Sequence, residues 1–221
     1  MQGSEDSSVP EDSLERIAED VSACTRCDLY QFSANGVPGS GNPHAEIMLI
    51  GEGPSHYDVR RGYPFSGPTG PFLDELLALA GLTRADVYLT NVLKHRVPDG
   101  RSPEWEELAA CSVYLDRQIA LVDPLIIVTL GRYALARYFP RGKITQLHGH
   151  TKIVDGRLVL AMYNPAAALH QEALRQSVTD DFRHALPAAI AEAHRLRDAG
   201  KLGRGTRPAP GEVPPQQMTL F

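Results

Sequence analysis

Four short apolar runs constrain this chain more than any other feature: Ile47-Met-Leu-Ile50, Val87-Tyr-Leu-Thr-Asn-Val-Leu93, Leu125-Ile-Ile-Val-Thr-Leu130 and Leu158-Val-Leu-Ala-Met162. Runs of this length with little polar alternation read as strands buried on both faces, the mark of a parallel sheet. Between and after them lie stretches with helical spacing. Phe72, Leu73, Leu76, Leu77 and Ala80 form one stripe. Further helices are expected from Glu104 to about Leu121, from Gly131 to Phe139, and over about 170–176 and 178–198. A capping-box-like Asp12-Ser-Leu-Glu15 starts another toward Ser22. Strands alternating with helices predict an α/β fold, a three-layer α/β/α sandwich with a central, mostly parallel four-stranded sheet. Residues 35–43 and 142–150 read as loops.

The chain has 221 residues, 43% of them hydrophobic, enough for one packed domain, which we place at residues 12–198. Residues 1–11 read as an acidic flexible arm, and the glycine- and proline-rich residues 199–221 as a linker. No apolar window is long enough for a membrane span, and the acidic start is unlike a secretory signal, so a cytoplasmic protein is expected. Net charge is −5, but residues 1–20 hold seven acids against one basic residue, so the body is close to neutral. A near-neutral body can still carry a local basic groove.

In a parallel sheet all carboxyl ends point one way. The turns near Gly51, Asn91 and Asn164 therefore converge on one cleft. The richest of them, Gly51–Gly67, carries Glu52, Asp58, His56, Tyr63 and Phe65, more chemistry than a plain connection requires. Three cysteines cannot form a closed set of disulfides. Cys24-Thr-Arg-Cys27 with the distant Cys111 suggests a metal site rather than a redox pair.

Together these residues resemble family 4 of the uracil-DNA glycosylases. The resemblance runs through Cys24-x-x-Cys27, Glu46-Ile-Met-Leu-Ile-Gly-Glu-Gly-Pro54, Gly62-Tyr-Pro-Phe-Ser-Gly67, Thr90-Asn-Val-Leu-Lys94, Cys111, Ile127-Val-Thr-Leu-Gly131 and Tyr163-Asn-Pro-Ala-Ala-Ala-Leu-His170. It covers roughly residues 14–190, in order. It implies excision of uracil from DNA by hydrolysis of the N-glycosidic bond, leaving an abasic site. A base inside a duplex is out of reach, so it is flipped into a pocket and read on its Watson–Crick edge.

By this resemblance, Phe65 stacks on the flipped ring. Asn91 donates to uracil O4 and accepts from N3–H, a pairing that cytosine refuses. The backbone amides of Gly51–Gly53 receive the negative charge of the departing base. Asp58, at a place where the family usually has Glu, orients a water or steadies the positively charged sugar. Glu52 matches the family's Gly-Glu signature. Asn164 replaces the usual His, and a neutral amide donates more weakly to uracil O2, so slower or differently selective excision is expected. His95 replaces a cysteine, making a Cys24, Cys27, His95, Cys111 ligand set for an iron–sulfur cluster (4Fe-4S), with zinc as the alternative.

Lys94, Arg96, Arg101, Lys143 and His148 are candidates for DNA phosphate contacts, as are Arg132, His150 and Lys152. The tail Gln217-Met-Thr-Leu-Phe221 resembles the motif by which bacterial repair proteins dock on the sliding clamp, with Gln217, Leu220 and Phe221 as its anchors. The expected protein is a nucleoid-associated monomer that acts on uracil-containing DNA. Its alternatives are a damaged-DNA binder with little turnover and a glycosylase for another deaminated or mismatched base.

Overall fold

The structure is a computed structural model that describes residues 12–203. The expected acidic arm and the clamp-motif residues Gln217, Leu220 and Phe221 lie outside the described residues. Helices α1 (Leu14–Ser22), α2 (His56–Arg61), α3 (Thr69–Leu79), α4 (Trp105–Val122), α5 (Arg132–Tyr138), α6 (Ile144–Leu147), α7 (Pro165–His170), α8 (Arg175–Asp180) and α9 (Leu186–Asp198) alternate with six strands. The strands are β1 (Ser40–Gly41), β2 (Ile47–Gly51), β3 (Val87–Asn91), β4 (Ile126–Leu130), β5 (Thr151–Val154) and β6 (Arg157–Met162). They form one sheet in the order β1-β3-β2-β4-β6-β5.

The four expected strands are its parallel centre, every residue of them buried. The strand count needs correcting. Two antiparallel edges, β1 and β5, add to the four, and both fall where polar or glycine-rich sequence hid them. Edge strands are short and half-exposed, so they lack the apolar run that marks a central strand.

Side chains alternate across the sheet. Ile47 and Leu49 join Leu89, Val128 and Leu160 in a core under α3 and α9, while Met48 and Ile50 join Tyr88, Ile127 and Val159 on the α4 face. The chain leaves β2 for β3 on one side, then crosses to β4 on the other. This reversal opens a crevice at the carboxyl ends of the strands.

Local chemistry places the helices. Ser13, one residue later than expected, caps α1 by accepting from the Arg16 amide at 3.1 Å. The Gly51–Gly67 connection is more than a turn, because Ser55 and Asp58 form a capping box that starts α2, and Gly62 ends it in the left-handed region. A π-turn over Asp181–Ala185 joins α8 to α9. No helix among the described residues is long and apolar enough to cross a membrane.

Candidate active site

Parallel pairing sets Gly51 of β2 opposite Asn91 of β3. The two strand ends stay joined beyond the strands themselves: Val92 donates to the Gly51 carbonyl at 2.9 Å and Leu93 to the Glu52 carbonyl at 3.0 Å. Strand alternation turns Asn91 to the same face as Leu89, toward Phe65. A Cβ on Gly51 would lie 2.3 Å from Asn91 Oδ1 and 2.8 Å from Phe65 Cζ. Gly51 thus contributes its missing side chain, which lets an amide and an aromatic ring meet over the strand end.

A small pocket opens here, lined by Gly53, Ser55, Asp58, Phe65, Gly67, Thr69, Asn91, Asn164 and Ala166. Asn91 is 3% exposed, yet its side-chain amide makes no hydrogen bond to any described residue. Its polar atoms open on the pocket, since the fully enclosed side-chain atoms left without a partner among the described residues are Tyr138 Oη and Arg157 Nε, so the amide is free to meet a ligand that enters.

Phe65 holds a left-handed backbone, φ 54°, unusual for a bulky residue. Three side chains hold it there. Asp58 Oδ1 accepts from the amide and hydroxyl of Ser66 at 2.7 and 2.8 Å. Arg84 donates to the Phe65 carbonyl at 2.9 Å and anchors on Asp74 at 2.6 Å. Arg61 donates to the Ser66 carbonyl. Asp58 Oδ2 meanwhile accepts from the amide and hydroxyl of Ser55, at 2.7 and 2.8 Å.

The expected role of Asp58 is therefore corrected. Both its oxygens are filled by four protein donors, so it shapes the Phe65 turn instead of orienting a water. Arg84 was missed, since nothing local marks a residue acting 19 positions away; Ser66 lay within the quoted motif without a role.

Glu52 does not line the pocket. Its Oε1 accepts from the Arg132 amide at 3.1 Å, at the start of α5, and burial raises its pKa. A Cβ on Gly131 would come within 2.7 Å of Glu52 Oε1 and 3.2 Å of Asn164 Cβ. Gly131, at φ 93°, is thus where the Glu52 and Asn164 motifs approach each other. Asn164 caps α7, its Oδ1 accepting from Ala166 N at 3.0 Å. Its carbonyl is occupied by the helix, which leaves the NH₂ as the group it can offer the pocket.

The expected basic residues divide. Lys94 is corrected outright: it is 0% exposed, so it cannot meet phosphate. Its Nζ donates to Thr90 Oγ1, Asn91 O and Gln118 Oε1 at 2.8, 2.7 and 2.8 Å. Burial pushes its pKa down to about 7, while three acceptors around Nζ favour the form with three N–H groups. Arg101 is engaged in a two-pronged pair with Glu107. His148 Nδ1 lies 2.9 Å from Asp181 Oδ1, and its ring centroid is 4.7 Å from that of Tyr163. Arg96 and Lys143 form no ion pair with any described residue and remain open to phosphate.

The cysteine-bearing region is partly assembled. Cys111 and Cys27 share a side-chain hydrogen bond that favours thiolate on Cys27, and the Lys94 amide donates to Cys111 Sγ at 3.4 Å. Cys24 packs with Ile17, Val21 and Tyr114. His95 is 3% exposed and makes no hydrogen bond to a described residue, and burial lowers its pKa toward the neutral, metal-ligating form. Among the described residues, no three His, Cys, Asp or Glu side chains stand in a metal-holding arrangement. The donor types and the unpartnered imidazole suit a metal; the four side chains do not converge on one point.

A sequence profile of the uracil DNA glycosylase superfamily matches residues 38–188. The chain belongs to the uracil DNA glycosylase superfamily. A Sulfurisphaera tokodaii protein named Type-4 uracil-DNA glycosylase is 42% identical over 189 residues, 81% of this chain and 86% of its own length. Proteins of the same name from Archaeoglobus fulgidus and Thermotoga maritima are 40% and 38% identical, over 78% and 79% of this chain and 91% and 94% of their own. The superfamily match spans the strand ends and turns that line the pocket.

Removing the Asp58 carboxylate tests the Phe65 clamp. Asp58→Ala leaves the Ser55 and Ser66 donors without their acceptor and is expected to lower stability by about 1–3 kcal/mol in urea titrations. Hydrogen exchange at the Ser66 amide should accelerate as well; unchanged protection there would count against the clamp.

Proposed function

We propose that this chain is a DNA repair glycosylase that flips uracil out of DNA and hydrolyses its N-glycosidic bond, leaving an abasic site. The observation that carries this reading is the buried, unpartnered amide of Asn91 facing a pocket beside Phe65. One primary amide can donate to uracil O4 and accept from N3–H at once. Cytosine presents an amine and a bare nitrogen at these places and would leave both amide groups misdirected.

Phe65, held on a fixed backbone, supplies the stacking face. As the glycosidic bond breaks, positive charge grows on the sugar and negative charge on uracil; water adds to the sugar carbon, and the base departs with a proton. Gly53 and Asn164 line the pocket on the side of β2 and α7, and the Asn164 NH₂ is the side-chain donor for the charge building on the base. A neutral donor there stabilises less than a histidine would, which favours slow excision. Glu52 acts at a distance by tying the end of β2 to the start of α5. Arg96 and Lys143 meet DNA phosphates, with His148, steadied by Asp181, beside them.

Cys24, Cys27, His95 and Cys111 are proposed to hold a metal centre, an iron–sulfur cluster before zinc. Such a centre would join α1, the exit of β3 and α4 into one unit, a structural contribution rather than a catalytic one. The C-terminal Gln217, Leu220 and Phe221 are proposed to dock on the sliding clamp, and a cytoplasmic location follows from this work on DNA.

Oligonucleotides carrying uracil, hypoxanthine, mismatched thymine or cytosine, single- and double-stranded, test the activity under single-turnover conditions. Uracil should be released fastest, Asn91→Ala should erase the preference for uracil over cytosine, and Asn164→His should raise the rate. Binding without release would establish the damage-binder alternative, and faster release of another base would change the substrate. Protein purified without oxygen should be brown and contain iron and acid-labile sulfide; a colourless, zinc-containing protein would overturn the cluster. Deletion of 217–221 should abolish clamp pull-down while sparing activity on short oligonucleotides.

A further inference from the structure

A lysine with no exposed surface is rare unless its nitrogen is fully satisfied. Lys94 stands in that position just past the strand that carries the base-reading amide. Its side chain folds back over its own turn, so that Nζ reaches the Asn91 carbonyl three residues earlier, at 2.7 Å. Among the described residues, no other side chain donates to that carbonyl. The short edge strand β1 pairs with β3 only at Tyr88 and Leu89, so the strand end beyond them has no ladder partner on that side. On the other side, Val92 and Leu93 are already bonded to β2.

The remaining contacts of Nζ anchor it on the face opposite the pocket. Thr90 alternates to the α4 side of the sheet, where Gln118 accepts from both Thr90 Oγ1 and Lys94 Nζ, at 2.9 and 2.8 Å. Gln118 in turn donates to the Pro38 carbonyl at 2.7 Å. The Lys94 backbone is pinned as well, its carbonyl accepting from Val37 N at 2.7 Å and its amide donating to Cys111 Sγ. All three hydrogen-bond partners of Nζ are neutral oxygens, while the Asp116 carboxylate and the Arg137 guanidinium act on it only through space, with opposite effects.

We propose that Lys94 is a positioning residue for Asn91: its buried nitrogen grips the Asn91 carbonyl and so holds the side-chain amide at one setting against the flipped base. This rests on the uracil-excising reading above. It gives a physical reason for a lysine that contacts neither phosphate nor base, and it assigns Gln118 as the anchor through which α4 supports the pocket. An error of about 1 Å in a substrate-positioning group can cost about a hundredfold in rate, so a few unbonded degrees of freedom at Asn91 matter to both rate and selectivity.

Lys94→Met keeps the length of the side chain and removes its donors. Three proteins are compared: wild type, Lys94→Met, and Val122→Ala, a variant in the buried core under α4 that removes no hydrogen bond and so reports on lost packing. Wild-type release of uracil first establishes the activity itself; its absence would sink the functional reading, not the role of Lys94. Given that activity, Lys94→Met should release uracil at least about tenfold more slowly at saturating enzyme. Its affinity for undamaged DNA should stay within about twofold, since the residue meets no phosphate. The Asn91 side-chain NH₂ resonances, identified by their loss in Asn91→Ala, should shift or broaden in Lys94→Met and not in Val122→Ala. Uracil release at the Val122→Ala level, or a loss that merely follows melting temperature with the Asn91 resonances unmoved, would overturn the proposal. Should Lys94→Met fail to fold, Gln118→Met removes the anchor and retains the lysine. It should slow release beyond the Val122→Ala control, and no slowing would equally overturn the proposal.

Discussion

The register of β2 against β3 is the constraint on which the site depends. It places Gly51 beside Asn91, and the absent side chain of Gly51 leaves just enough room for the Asn91 amide and the Phe65 ring to meet. Parallel pairing of buried strands makes this register costly to change, because a one-residue slip would turn each alternate side chain to the wrong core. The two cores, under α3 and α9 on one face and under α4 on the other, therefore act as the rigid frame of a pocket only a few side chains wide.

Around that frame, polar side chains set conformation more than they perform chemistry. Asp58, Arg61 and Arg84 hold the strained turn of Phe65, Glu52 caps α5, and Asn164 caps α7 through the same side chain that offers its amide to the pocket. Lys94 belongs with them. In each case a charged or polar group at the crevice has its hydrogen-bonding capacity largely taken up by protein, which keeps the pocket preorganised and reduces the ordering left to be done on binding. The exceptions are the Asn91 amide and the NH₂ of Asn164, both of which are left open toward the pocket.

The division between residues that read and residues that hold was only half legible beforehand. Gly51, Asn91 and Asn164 sit at or beside strand ends, and their convergence follows from parallel topology, whereas Phe65, between α2 and α3, is brought to them by the bonds of Asp58, Arg61 and Arg84. Asp58 and Lys94 were misassigned for a common reason: a carboxylate or an ammonium in a motif suggests chemistry or phosphate, and local sequence does not reveal that four donors or three acceptors already surround it. Arg84 had no signal, because its partner turn is 19 residues away. The edge strands β1 and β5 escaped for want of an apolar run.

The sequence by itself determined the parallel centre, the cleft at its carboxyl ends and the residues placed there, because burial on both faces writes an unbroken apolar run and glycine or asparagine marks where the strand must stop. Tertiary structure alone decided which polar groups are free. That property depends on partners brought from distant segments, Ser66 to Asp58, Arg132 to Glu52, Gln118 to Lys94, and hydrogen-bond saturation is a fact of three-dimensional neighbourhood that no residue carries in its own name.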